Sequence, residues 1–211
     1  MPTTKLIRWG GLALMLGGIA YAVHLITHPP GETAPYAFWA LWVPSHVLGG
    51  IASLLIALGL VGLYLRQSEV VGAPGFIGFV LAFVGATLSA GALIFLSAVV
   101  VPFLAFRGMY SLVDPHGPLM ASWATQLALG LPALSLVIGV LILAIVTLRA
   151  RVLPQRGGWL IIFTLPLAVV GSVVVIIIGT SFQGVIQSVV GVLLGLGLVA
   201  WGWALWSEKA A

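Results

Sequence analysis

The chain has 211 residues, 62% of them hydrophobic and only 6% charged, with a mean hydropathy of +1.25. Soluble domains carry about 25% charged residues, so this chain cannot cover a water-facing surface with polar groups and must take lipid as its solvent. Its net charge of +4 comes from eight basic residues with no basic run, which argues against nucleic acid, and the absence of cysteine excludes disulfides, thiolate metal sites and cysteine catalysis.

A bilayer core about 30 Å thick takes roughly 20 apolar residues as a helix. Stretches free of charge run from Trp9 to Gly31, Thr33 to Leu65, Val70 to Phe106, Pro115 to Leu148 and Gly157 to Ser207. They predict an all-α integral membrane bundle of six transmembrane helices in a single domain, residues 1–211, with spans at about 7–28, 44–66, 75–101, 119–148, 158–179 and 183–206. The first span, with Lys5 and Arg8 ahead of it and Ala20-Tyr21-Ala22 near its end, has the look of a signal peptide. It is expected to stay as the first helix. Pro44 sets the start of the second span, since proline suits a first helical turn. Residues 36–43 then form a short aromatic interfacial segment, carrying Trp39 and Trp42 in the headgroup layer. The alternative is one long helix kinked at Pro44. Gly130 and Pro132 bend the fourth span. The last charge-free stretch divides at the turn Gly179-Thr180-Ser181-Phe182-Gln183-Gly184.

Orientation follows from lysine and arginine in the short loops. With the N-terminus inside, Lys5, Arg8, Arg66, Arg149, Arg151, Arg156 and Lys209 lie on the inner side and only Arg107 on the outer. Both termini are therefore expected in the cytoplasm. Two hairpins read alike, Leu65-Arg66 to Gly75-Phe76 and Leu148-Arg149 to Gly158-Trp159. Inward turns want arginine and glycine in any case, which is the simpler explanation of the likeness. Small-residue pairs, Ala13 with Gly17 and Gly191 with Gly195, let helix backbones approach closely.

Polar residues gather at the outer side. His24 and His28, four residues apart, share one helix face; Glu32 follows in the loop, His46 opens the second span, and Asp114 and His116 lie in the third-to-fourth loop. Two imidazoles at this spacing can share one ion, with a third ligand from His46, Glu32, Asp114 or His116 completing a zinc- or copper-like shell. His24 and His46 could instead hold a haem between neighbouring helices. Trp39, Trp42, Gln126, Gln183 and Gln187 are candidates for a lipophile pocket taking a quinone, lipid or pigment. Interfacial histidines that bind nothing are the plainest reading, and no bound cofactor is the first expectation. Leu25, Ile26 and Thr27 between the first two histidines exclude a glutamate-bearing zinc-hydrolase motif. No phosphate-binding loop, nucleophile elbow or midplane charge supports an enzyme or a pump.

The Arg8-Trp9-Gly10-Gly11 entry, the Gly62-Leu63-Tyr64-Leu65-Arg66-Gln67 end of the second span and the Leu148-Arg149-Ala150-Arg151-Val152-Leu153-Pro154 turn give the chain a further likeness. In these it resembles small uncharacterised multi-span membrane proteins of bacteria. The resemblance implies a bacterial plasma (inner) membrane and no activity. The leading expectation is a non-catalytic membrane component, an accessory or scaffold subunit whose partners are the lipid bilayer and other membrane subunits. A metal- or haem-binding redox protein and a carrier of a lipophilic molecule are the alternatives.

Overall fold

The computed structural model describes residues 3–29, 40–114, 117–178 and 183–207, without the side chains of residues 165, 169, 172–176 and 178. Every regular element among them is helical: α1 (Thr3–Thr27), α2 (Trp42–Gly91), a π-helix (Ala92–Val100), α3 (Val101–Phe106), α4 (Tyr110–Val113), α5 (Trp123–Ala150), α6 (Gln155–Ile178) and α7 (Gln183–Ser207). Among the described residues, four helical stretches are long and apolar enough to cross a membrane: Thr3–Thr27, Trp42–Phe106, Trp123–Ala150 and Gln183–Ser207. A helix of 25 residues reaches about 37 Å at 1.5 Å per residue, more than the roughly 30 Å of a bilayer core. Leu58, Phe95, Phe163 and Val170 face outward with more than half of their surface exposed, which suits lipid and not water.

The 65-residue stretch is not one rod. Gly72 sits at φ 56°, ψ −156°, a backbone state open to glycine, and Pro74 follows inside the helix. Helical hydrogen bonding continues on both sides, so the break expected between two separate spans is concentrated at one residue. The limbs 42–71 and 73–106 double back on each other, with Gly50 packed against Ile94 and the Ala90 carbonyl. The other arginine turn is built differently. There α5 ends at Ala150, Arg151 takes the left-handed conformation at φ 55°, and α6 begins at Gln155. The likeness of the two turns in sequence is not carried into the backbone.

The expected start of the second span also shifts. The helix begins at Trp42 and not at Pro44, and the Trp42 side chain is fully buried, 0% exposed, where the sequence placed it in the headgroup layer. Burial wins because the indole has both a ring to stack on and a carbonyl to bond, as described below. Residues 36–39 of the expected interfacial segment lie outside the described residues.

Glycine sets the helix contacts. On one face of α1, Gly10 meets Gly62 and Gly17 meets Ile56 of the first α2 limb; on the other, Gly11 meets Gly202 and Gly18 meets Gly195 of α7. Gly191 meets Leu25, so the Gly191/Gly195 pair serves packing within the chain. From α7 the contacts pass to α6 at Gly157 and Gly197, to α5 at Gly158 and Leu148, and to the second α2 limb at Gly139 and Ala82. That limb returns to the first, and the helices close a ring.

A Cβ at position 195 would lie 2.6 Å from the Gly18 carbonyl oxygen, a backbone atom that cannot step aside, whereas one at Gly91 meets nothing within 4 Å. Gly195→Val should therefore destabilise the protein by about 1–3 kcal/mol, read as a lower melting temperature in mild detergent. Gly91→Ala should leave the melting temperature undiminished.

Candidate functional site

Three of the sequence-derived candidates come together at one end of the bundle. His24 lies one turn before the end of α1, His28 just beyond it, and His46 in the second turn of α2. The ring centroids of His24 and His28 are 5.1 Å apart, those of His28 and His46 4.8 Å, and those of His24 and His46 6.0 Å. His24 and His46 are 3% and 0% exposed, and His28 is half-buried. Gly49 makes the approach possible: a methyl group there would sit 2.8 Å from the His24 ring.

Each imidazole is held by the same kind of bond. Nδ1 of His24 lies 2.9 Å from the Ser45 carbonyl and 3.1 Å from Ser45 Oγ, Nδ1 of His28 2.8 Å from the Pro29 carbonyl, and Nδ1 of His46 2.7 Å from the Trp42 carbonyl. A carbonyl only accepts, so the proton of each ring belongs on Nδ1. In the neutral form Nε2 then carries the lone pair, which is the tautomer a metal ion or a proton donor would meet. Ser45 is the hub of this arrangement. Its hydroxyl donates to the His24 carbonyl at 3.2 Å and receives Thr27 Oγ1 at 3.3 Å.

Trp42 supports the cluster from below. Its ring packs on His46 at 4.5 Å between centroids, and its indole N–H donates to the Ser97 carbonyl at 2.7 Å in the π-helix. Local sequence explains why that carbonyl can take a side-chain donor. The Val101 N–H goes to the carbonyl of Leu96, five residues back, and Pro102 has no N–H for Ser97. The indole stands where a backbone donor would otherwise be.

The remaining described candidates stand on other elements. Asp114 is exposed after α4. Gln126 turns back to donate to the Met120 carbonyl at 2.7 Å at the start of α5. Gln183 is the first residue of α7, and Gln187 buries its Oε1 one turn later without a hydrogen-bond partner. Glu32, Trp39 and His116 lie outside the described residues. Among the described residues no three His, Asp or Glu side chains stand in an arrangement that would already hold a metal ion; the three rings are close, but their donor atoms do not converge. The sequence reading missed Ser45 and Gly49, and at the opposite end a buried pair in which Thr147 donates to Gln67 Oε1 at 2.9 Å.

No protein family, no curated protein and no solved structure matches the chain. The tautomer is directly measurable. Nitrogen-15 NMR of histidine-labelled protein near pH 8, above the ordinary imidazole range, should show the Nδ1–H form for His24, His28 and His46. Ser45→Ala should alter the His24 signals and leave those of His28 in place.

Proposed function

We propose that the chain is a non-catalytic, six-span component of a bacterial plasma membrane, an accessory or scaffold subunit, that carries a zinc- or copper-type ion on His24, His28 and His46. Both termini face the cytoplasm in this reading and the histidine site opens outward. The six crossings are α1, the two limbs of Trp42–Phe106, α5, α6 and α7. Support for the orientation is the seven-to-one division of lysine and arginine.

One observation carries the metal reading: three imidazoles, from α1, from the residue just beyond it and from α2, each with Nδ1 against a main-chain carbonyl. Metal-binding histidines characteristically give their second ring N–H to such an acceptor, which fixes the tautomer and raises the basicity of the other nitrogen. The spacing agrees as well. Nitrogen ligands about 2.0–2.1 Å from a tetrahedral zinc put neighbouring ring centroids roughly 5–5.5 Å apart, and the observed separations of 4.8, 5.1 and 6.0 Å bracket that value. Binding needs small rotations about the terminal imidazole torsion, which is broad and soft. A fourth position remains for water or for a loop donor such as Glu32 or His116.

Haem fits less well than a bare ion. The His24 and His46 rings are 6.0 Å apart at 65°, and the His28 ring lies against both. A flat macrocycle has no slot between them.

Elemental analysis of the protein purified in mild detergent should find zinc or copper near one per chain. Chelator competition should then show His24→Ala binding the ion at least about tenfold more weakly, with the elution profile of the folded protein retained. Wild-type protein that binds no added zinc or copper, or a His24→Ala variant of unchanged affinity, would falsify the metal site. A C-terminal tag reached by antibody only after permeabilisation is the expected topology result, and labelling of intact cells would overturn it.

A further inference from the structure

The second α2 limb and α5 pack closely over only part of their length. Gly78 meets Ile142, Ala82 meets Gly139, and Gly85 meets Leu136 and the Pro132 carbonyl. Past that point the helices part, and a Cβ at Gly91 or at Gly130 would meet nothing within 4 Å. Irregular backbone lies on both sides of the gap: the π-helix begins at Ala92, and Pro132 interrupts the hydrogen bonding of α5. The gap is a groove of about 630 Å³, walled by Leu88, Gly91 and Phe95 on the limb and by Leu127, Leu131 and Pro132 on α5. The one polar side chain in its lining, that of Thr87, already donates to the Phe83 carbonyl at 2.8 Å.

The groove runs from Thr87 to Leu96, about 13 Å at 1.5 Å per residue, which is close to the roughly 15 Å of hydrocarbon in one leaflet. Its limb wall continues beyond it along one face, where the exposed positions Leu88, Gly91, Phe95, Val99 and Phe103 recur every three or four residues. The next position on that face is Arg107, also exposed, and its guanidinium turns back over the Phe103 ring at 5.4 Å. From Thr87 to Phe103 is about 24 Å along the helix, against roughly 20–22 Å for one leaflet with its headgroup layer. On the α5 wall, Leu131 and Leu127 lead at the same four-residue spacing to Trp123, which is 78% exposed at the first position of the helix. Tryptophan at the end of a spanning helix suits the headgroup level. A guanidinium there presents a fork of donors that matches a phosphate.

We propose that the groove is a binding site for one phospholipid, with an acyl chain between the second α2 limb and α5 and the phosphate on Arg107. The apolar walls take the chain, and the single cation at the end of the same face takes the anion. Charge and length together select this occupant over a helix of a partner protein, which would bring no anion to Arg107. The site is separate from the histidine cluster and does not depend on it.

Dioleoylphosphatidylglycerol and dioleoylglycerol are the probes, alike in their chains and different in the phosphate. Each is titrated into the full chain in mild detergent and counted by native mass spectrometry. One phosphatidylglycerol should bind per chain, and dioleoylglycerol at least about tenfold more weakly. Arg107→Gln should weaken phosphatidylglycerol by a similar factor and leave dioleoylglycerol unaffected, since the side chain is exposed and the fold does not rest on it. Gly91→Phe, placed in open space, should remove the binding of both. Equal affinity for the two probes, an unaltered titration in Arg107→Gln, or lipid retained in Gly91→Phe would each overturn the assignment. So would a dimer of the wild-type chain that Gly91→Phe dissociates, which would give the groove to a second copy.

Discussion

Helices immersed in lipid gain little by hiding apolar surface from one another, so their association depends on how closely their backbones can come. In this protein the seam between α1 and α2 shows how that constraint reaches the histidines. Residues 10, 17 and 24 of α1 follow one another at a heptad interval and meet Gly62, Ile56 and Gly49 of α2 in turn. On the first rung both partners are glycine. On the third, the glycine has moved to α2 and α1 presents an imidazole in its place. The histidine site is therefore the last step of the packing seam and shares its geometry, which explains why a ring as polar as that of His24 can lie 3% exposed between two helices.

The same economy governs how the cluster is fixed. Its orienting bonds run to main-chain carbonyls of Ser45, Pro29 and Trp42, groups that cannot be removed by substitution. Ser45 Oγ and the Trp42 ring add side-chain support. The indole in turn depends on Pro102, whose missing N–H leaves the Ser97 carbonyl for it. A proline in the second limb and a tryptophan at the start of the first thus belong to one device, although 60 positions separate them in the sequence.

Much of the architecture was legible in the order of residues. The charge-free stretches mark the helices because charge is expensive in lipid, and His24, His28 and His46 stood out as the polar residues of those stretches near one side. The character of the connection at Gly72 was less visible, because glycine and proline near a turn read the same whether the chain breaks or merely kinks. Trp42 was misplaced for a physical reason: a tryptophan near a predicted helix end fits a headgroup layer as well as a core, and only the stacked His46 ring and the Ser97 carbonyl decide between them. Ser45 and Gly49 carry no signal of their own in the sequence. Their roles appear only once α1 is laid against α2. The groove between the second α2 limb and α5 was likewise invisible, since it is defined by where the two helices part.

The bond between Trp42 and Ser97 joins residues 55 apart in the chain, a separation whose closure from an open chain is entropically costly. The two limbs are tethered at Gly72, however, and contacts such as Gly50 with Ile94 stand between that hinge and the bond. With those contacts made, little free loop remains to close. The bond is a latch at the tips of the hairpin, and the latch is the residue on which the His46 ring rests. The histidine cluster thus stands on the hairpin's tips, and its geometry depends on the hairpin beneath it being closed.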